Sequence, residues 1–343
     1  MTTAPATAAA GSAPHLREDL LTPRFYTTEI GKAARTDLDP QRASFEAMLQ
    51  EMETDYNRDH FDRRAGLGRL SSLSETEQTA YESYLVRSCV SEFSGFLLFK
   101  ELSRQLQRAQ RPELSRLFSL MARDEARHAG FLNRALVAEG IEIDLPAMGG
   151  KRPITWFPLN WVLYSVYLSE KIGYWRYILI DRHLKLHPEN SFAPLFDFFE
   201  PWCQDENRHG DIFNMLIRCW PGLNSGWHGR LLSRFFLWSV FLTHSLTVCE
   251  RGDFYQLLGL DPNQFDAEVM RQTNRTARRA FPVVFDLEES AFLALRDRLV
   301  TTFRELRQAR NRPLRRLVLQ GRFATLLLRQ FCQPMVATGS APA

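Results

Sequence analysis

Apolar residues recur at three- and four-residue spacing along almost the whole chain, while alternating runs bounded by turns are scarce. That period puts side chains on one face of a helix rather than one face of a strand. Proline and glycine fall mainly between the periodic segments, as at Pro112, Pro146, Pro158, Pro188, Pro221 with Gly222, Pro262 and Pro313. The pattern predicts helices near 42–60, 74–108, 112–139, 159–186, 191–219, 226–258, 264–280 and 288–310. Several are long enough for a helical bundle, so the expected fold class is all-α.

Two of these segments share a short string. Asp124–Gly130 reads DEARHAG and Asp205–Gly210 reads DENRHG. Each copy follows a second repeated string, Ser-Glu-x-x-Gly-aromatic, present as SEFSGFLLF (Ser91–Phe99) and SEKIGYWRY (Ser169–Tyr177). Glu92 precedes Glu125 by 33 residues and Glu170 precedes Glu206 by 36. The chain therefore reads as two helix pairs, each with one motif on its first helix and the other on its second.

Residues three apart share a helix face, so Glu125 can reach the same point as His128, and Glu206 the same point as His209. A lone Glu-x-x-His is usually a salt-bridged surface helix. Duplication, an upstream glutamate for each copy, matched spacing and antiparallel neighbours outweigh that reading. The set Glu92, Glu125, His128, Glu170, Glu206 and His209 supplies one Glu from each of two helices and Glu-x-x-His from each of the other two. Bundle proteins hold a di-iron or di-manganese carboxylate centre with this set, and it predicts a ferritin-like four-helix di-iron bundle with additional flanking helices. Four carboxylates and two imidazoles suit iron or manganese better than a thiolate-seeking metal.

The neighbours carry expectations of their own. Asp124 and Asp205 can accept from an imidazole N–H and fix its tautomer, or be ordinary exposed acids. Arg127 and Arg208 are expected to pair with those acids or with nearby carboxylates. Gly95 and Gly173 lie three residues after Glu92 and Glu170, either clearing room beside the metals or allowing close helix packing. Cys89 and Cys203 read as buried structural thiols.

Composition narrows the picture. The 343 residues are 45% hydrophobic and 24% charged with a formal net charge of +3, which does not suggest nucleic acid as a partner. Five cysteines without a Cys-x-x-Cys spacing argue against a disulfide framework and an iron–sulfur cluster, and fit a reducing cytosol. The start, MTTAPATAAAGSAPH, lacks a secretory pattern and is expected to be disordered; its shortness favours a bacterial source. Ile154–Leu168 and Phe235–Val248 are the most apolar stretches, too short to span a bilayer, and are expected to be buried helices, with membrane-surface contact as the alternative. No Gly-x-Gly-x-x-Gly follows a strand, so no cofactor-binding residues are assigned and electrons must come from a separate donor.

The longer strings resemble a known family. LLTPRFYTT (Leu20–Thr28), FSGFLLFKEL (Phe93–Leu102), RDEARHAGFLNRA (Arg123–Ala135), YLSEKIGYWRYI (Tyr167–Ile178), WCQDENRHGDIF (Trp202–Phe213) and GDFYQLLGL (Gly252–Leu260) closely resemble the aerobic magnesium-protoporphyrin IX monomethyl ester oxidative cyclases. These are the di-iron enzymes of chlorophyll and bacteriochlorophyll biosynthesis. The resemblance implies a di-iron monooxygenase that uses O2 and reducing equivalents to close the isocyclic ring of divinyl protochlorophyllide. It implies the same six ligands, two iron ions, and electrons from NADPH or ferredoxin through an external donor. A small accessory subunit and peripheral association with the cytoplasmic face of the photosynthetic membrane are implied as well.

The expected organisation is a tail over 1–19, a catalytic domain over 20–285 and a basic helical extension over 286–343. From Arg304 to Phe331 there are eight arginines against one acid, Glu305, with apolar residues between them. Such a segment can lie on an anionic membrane or present a solvated or docking face. Phe96, Phe99, Tyr174 and Trp175 are candidates to line a porphyrin cleft, with core packing as the alternative for each. Two other functions share the ligand set: another di-iron oxidase or hydroxylase of the quinol-oxidase kind, and a ferroxidase or iron-storage bundle.

Overall fold

The computed structural model describes residues 25–61, 67, 70, 72–150 and 154–339. The expected tail over 1–19 lies outside the described residues. In chain order the helices are α1 (Ile30–Ala33), α2 (Arg42–Thr54), α3 (Glu75–Arg108), α4 (Pro112–Ala138), α5 (Leu145–Gly150) and α6 (Leu159–Leu186). They continue as α7 (Phe199–Arg218), α8 (Gly226–Glu250), α9 (Gly252–Leu257), α10 (Pro262–Ala277), α11 (Phe292–Gln308) and α12 (Pro313–Phe331). Among the described residues four short strands, β1 (Phe25–Thr28), β2 (Ile154–Phe157), β3 (Val283–Phe285) and β4 (Met335–Ala337), form two two-stranded sheets, β1 with β2 and β3 with β4. The all-α reading holds.

Helix ends follow local chemistry. Ser74 starts α3 with a capping box: its hydroxyl accepts from the Glu77 N–H at 3.4 Å, and the Glu77 carboxylate accepts from the Ser74 N–H at 2.8 Å. Proline occupies the first turn of α4, α10 and α12, where its missing N–H has no intrahelical partner to lose.

The chain divides into two compact units. The first holds residues up to 27, 55–156 and 193–198. Its frame is the antiparallel pair α3 and α4, whose facing stripes bury Tyr84, Leu85 and Phe99 against Leu117, Met121 and Leu132. The Ser103 hydroxyl donates to the Ser115 carbonyl at 2.8 Å near the turn between the two helices.

The second unit holds 28–54, 157–192 and 199 onward. Here α6 packs along α7, α10 and α8 pack on α6, and α11 and α12 pack on α8. Leu295, Leu299 and Leu326 form a buried cluster with Leu242, Phe323 and Leu327 against it. β4 returns to β3 with Val284 opposite Val336. By length and composition α8 could cross a bilayer; 39% of its most apolar stretch is buried inside the unit, including Phe236, Leu237, Phe241 and Val248.

Four predicted helices differ from what forms. The segment expected from 191 is α-helical only from Phe199, after 3₁₀ turns at Pro188–Asn190 and Pro194–Phe198; each proline also restrains the residue before it from the α region. The segment expected over 226–258 breaks at Arg251 into α8 and α9. The segment expected to reach 60 stops at Thr54, because Asp55 takes a left-handed φ of 55°. The segment expected over 288–310 starts at Phe292, after turns over 287–291.

Candidate metal centre

Each unit carries one half of the predicted ligand set. In the first, Glu92 on α3 faces Glu125 and His128 on α4, and all three are buried. Their ligand atoms lie within 4.8 Å of one another, with His128 Nδ1 3.4 Å from Glu92 Oε2. Burying two carboxylates this close is costly unless a cation or proton offsets their charge.

In the second unit, Glu170 on α6 faces His209 on α7, with His209 Nδ1 3.6 Å from Glu170 Oε2. Glu206 is buried one turn before His209. One of its oxygens accepts from the Trp202 indole N–H at 2.8 Å. The two halves thus repeat one arrangement, a His Nδ1 turned to the glutamate of the preceding helix.

The glycines of the repeat have a specific use. A Cβ on Gly95 would sit 2.9 Å from Glu125 Oε2 and 3.0 Å from its Cδ. A Cβ on Gly173 would sit 3.2 Å from Glu206 Oε2. Each glycine therefore clears the space that the carboxylate of the next helix fills. Gly210 does something different: a Cβ there would meet Lys171 Cε at 2.6 Å, so this glycine makes way for a buried lysine stem.

Asp124 and Asp205 are 1% and 2% exposed, so neither is an ordinary surface acid. Asp124 accepts from Arg123 Nε at 2.8 Å, and Arg127 reaches it at 3.5 Å. The stronger partner of Arg127 is Asp55, gripped by both Nη atoms at 2.5 and 2.7 Å. The Arg127 hydrogen bonds hold the Asp55 carboxyl below its usual range, against the opposing effect of burial. Arg208 donates to Asp205 at 2.7 Å and to Glu51 on α2 at 2.6 Å.

The cysteines tie helices together. The Cys89 thiol donates to the Ala129 carbonyl at 3.4 Å, from α3 to α4. The Cys203 thiol donates to the Tyr174 carbonyl at 3.7 Å, from α7 to α6. Burial, reinforced by Glu92, pushes the Cys89 thiol up to about 12, and burial with Glu206 pushes Cys203 the same way. Neither is a nucleophile at neutral pH.

Sequence reasoning missed five supports: Trp202, Phe61, Asp55, Glu51 and Lys171. Phe61 meets the His128 imidazole edge-on with ring centroids 5.4 Å apart. Lys171, 2% exposed, donates to Asp211 at 2.6 Å and to the Asn207 side chain at 2.7 Å, and burial lowers its basicity. Trp202 was findable, lying four residues before Glu206 on the same helix face. Among the cleft candidates, Phe99 is fully buried with its ring centroid 6.2 Å from that of Phe118 and belongs to the core. Trp175 donates its indole N–H to Thr276 at 2.9 Å, and Phe96 stacks on Phe93 at 5.6 Å.

Residues 83–217 match the family model described as Rubrerythrin, a ferritin-like di-iron domain. A protein of Prochlorococcus marinus (strain MIT 9313), named magnesium-protoporphyrin IX monomethyl ester [oxidative] cyclase, is 63% identical over 327 residues. That match covers 95% of this chain and 93% of the relative. A cyclase of the same name from Thermosynechococcus vestitus is 54% identical over 329 residues, covering 94% and 93%. The chain belongs to the magnesium-protoporphyrin IX monomethyl ester oxidative cyclase family.

A further cyclase, from Nostoc sp., is 56% identical over 283 residues, or 82% of this chain and 80% of that one. No solved structure matches the chain. Membership of the cyclase family makes the chain an oxidoreductase of chlorophyll biosynthesis, and the buried Glu/His sets suit iron. The iron-storage and quinol-oxidase readings are not favoured.

Proposed function

We propose that the chain closes the isocyclic ring of magnesium-protoporphyrin IX 13-monomethyl ester to give divinyl protochlorophyllide, using O2 at a di-iron centre shared by the two half-sites. The observation that carries this is the 63% identity over 95% of the chain, in a protein whose repeated Glu and Glu-x-x-His motifs are buried in both units.

The donor set fits the metal. Glu92, Glu125 and His128 supply one half of the ligands, and Glu170, Glu206 and His209 the other. Together they give four carboxylates and two imidazoles, balancing two divalent ions. Neither half alone has enough ligands for two irons. Bound there, iron would supply oxygen activation and the change of oxidation state that the reaction needs.

The surrounding residues hold these ligands in place. The Trp202 N–H occupies one oxygen of Glu206, and the other, beside Gly173, would hold a metal. Phe61 covers one edge of His128 and excludes water from it. In this reading Asp124 and Asp205 accept from the imidazole N–H groups, while Arg127 and Arg208 hold those acids in place by hydrogen bonds. The catalytic part spans 20–285, with 286–343 as a basic helical extension. Electrons arrive from a ferredoxin or an NADPH-linked donor, a small accessory subunit assists, and the enzyme works on the cytoplasmic face of the photosynthetic membrane.

The test incubates iron-loaded protein with the magnesium-porphyrin ester, O2, a reductant and candidate accessory subunits, and follows the fifth-ring product by absorbance and mass. Product formation that needs iron and O2 is the expected result. Unchanged ester under every combination, with ferric mineral accumulating instead, would make the chain an iron-storage protein.

A further inference from the structure

The C-terminal helix α12 has two apolar faces. One carries Leu319, Phe323, Leu326, Leu327 and Gln330, spaced to share a stripe, and it packs on α8 and α11. Gln330 closes that face by donating to the Phe292 carbonyl at 3.5 Å. The opposite face carries Leu314, Leu317, Val318 and Leu328, with Gly321 and Thr325 between them. At 3.6 residues per turn these six positions form a second continuous stripe, on the side away from the first.

This second stripe is open. Leu314 is 81% exposed, Leu317 67%, Val318 71% and Leu328 64%. Single exposed leucines need no explanation, but four aligned on one helix face make a patch of the kind that marks a binding surface. Arg315, Arg322 and Arg329 recur every seven residues along one flank of it. Arg322 also lies 3.8 Å from Glu305, the one acid among the residues from 304 to 331.

An apolar stripe flanked by arginines suits an interface in which apolar side chains enter a hydrocarbon boundary while guanidinium groups reach up to phosphates. α12 itself carries Arg315, Arg316, Arg322 and Arg329 and no acid, which selects a negatively charged surface. A protein partner would need both an apolar groove and a matching acidic rim, whereas an anionic bilayer offers both over any area. We propose that α12 is the membrane-docking element of this chain, lying flat on an anionic lipid surface through Leu314, Leu317, Val318 and Leu328 with the arginine ladder on headgroup phosphates. The proposal deepens the membrane-bound location put forward above by naming the surface responsible.

The test uses the full chain and vesicles of phosphatidylcholine alone or mixed with phosphatidylglycerol, needing neither metal nor porphyrin. Its failure is therefore separate from failure of the cyclase reading. Co-sedimentation should be strong on the mixed vesicles, weak on neutral ones and weakened by salt. Replacing Leu314, Leu317, Val318 and Leu328 with Gln should abolish binding while leaving the helical circular dichroism intact, since all four are exposed. Arg315→Gln with Arg322→Gln and Arg329→Gln should weaken it about tenfold or more. Equal binding by either variant and the parent would overturn the proposal. So would a parent that ignores both vesicle types but forms dimers that the leucine variant loses, which would make the stripe a self-association face.

Discussion

The helix pair α3–α4 and the helix pair α6–α7 carry the same chemistry on different supports. Both turn a His Nδ1 toward the glutamate of the preceding helix, at 3.4 Å in the first pair and 3.6 Å in the second. Both clear space for the second glutamate with a glycine. Beyond those features the pairs part. The first holds Asp124 between Arg123 and Arg127 and anchors Arg127 on Asp55. The second holds Asp205 with Arg208, anchors that arginine on Glu51, and adds Trp202 to Glu206. It also buries Lys171 under Gly210. The candidate ligands and their glycines repeat to the residue, whereas the contacts that hold them differ between the two pairs.

Removing the imidazoles one at a time should have the largest effect. His128→Ala and His209→Ala should each reduce ring closure to the uncatalysed background despite their different surroundings. If one variant keeps substantial turnover, the halves are not equivalent.

Next come the glycines. Gly95→Ala and Gly173→Ala should both lower iron occupancy, and Gly95→Ala more, because its Cβ would stand 2.9 Å from the carboxylate oxygen against 3.2 Å. Without metal, each alanine should stabilise its helix by up to about 1 kcal/mol, so metal-free melting temperatures should hold or rise while iron content falls. Thermal melts paired with metal analysis would show the split, and iron content equal to the parent's in both variants would refute the clearing role.

Trp202→Phe keeps the ring and removes the N–H. Iron affinity should fall about 10- to 100-fold, the usual cost of losing a hydrogen bond to a ligand. The first pair has no matching indole at the equivalent position, Met121, so Met121→Leu should leave iron affinity unchanged.

The smallest effect concerns Cys89. Its thiol is raised from 9.0 to about 12 in the folded chain. A raised folded-state value contributes stability that is present below about 9 and is lost as pH climbs toward about 12. Cys89→Ala should therefore flatten part of the alkaline fall in urea stability, and an unchanged slope would count against the burial of this thiol.

The buried Glu and His clusters were legible because the motifs repeat: Ser-Glu-x-x-Gly and Asp-Glu-x-Arg-His restrict residue type and spacing together. The supports were less so. Asp55 reaches Arg127 from 72 positions away and from a left-handed turn, a contact that no local pattern encodes. Glu51 reaches Arg208 from 157 positions away. Helix ends were misjudged where proline or a single residue stopped a segment still apolar in pattern, as before Phe199 and at Arg251. The outer stripe of α12 was visible as composition, but only its exposure separates it from a second buried face.

The proposed function rests on one two-iron centre held by Glu92, Glu125 and His128 together with Glu170, Glu206 and His209. Native mass spectrometry of iron-loaded protein tests it directly, comparing the parent with a first-half variant (Glu92→Ala with Glu125→Ala) and a second-half variant (Glu170→Ala with Glu206→Ala). Two irons are expected in the parent and no paired centre in either variant, since each variant loses two of the four carboxylates proposed to hold the metals. Retention of one tightly bound iron in each variant would mean two independent mononuclear sites, and would contradict it.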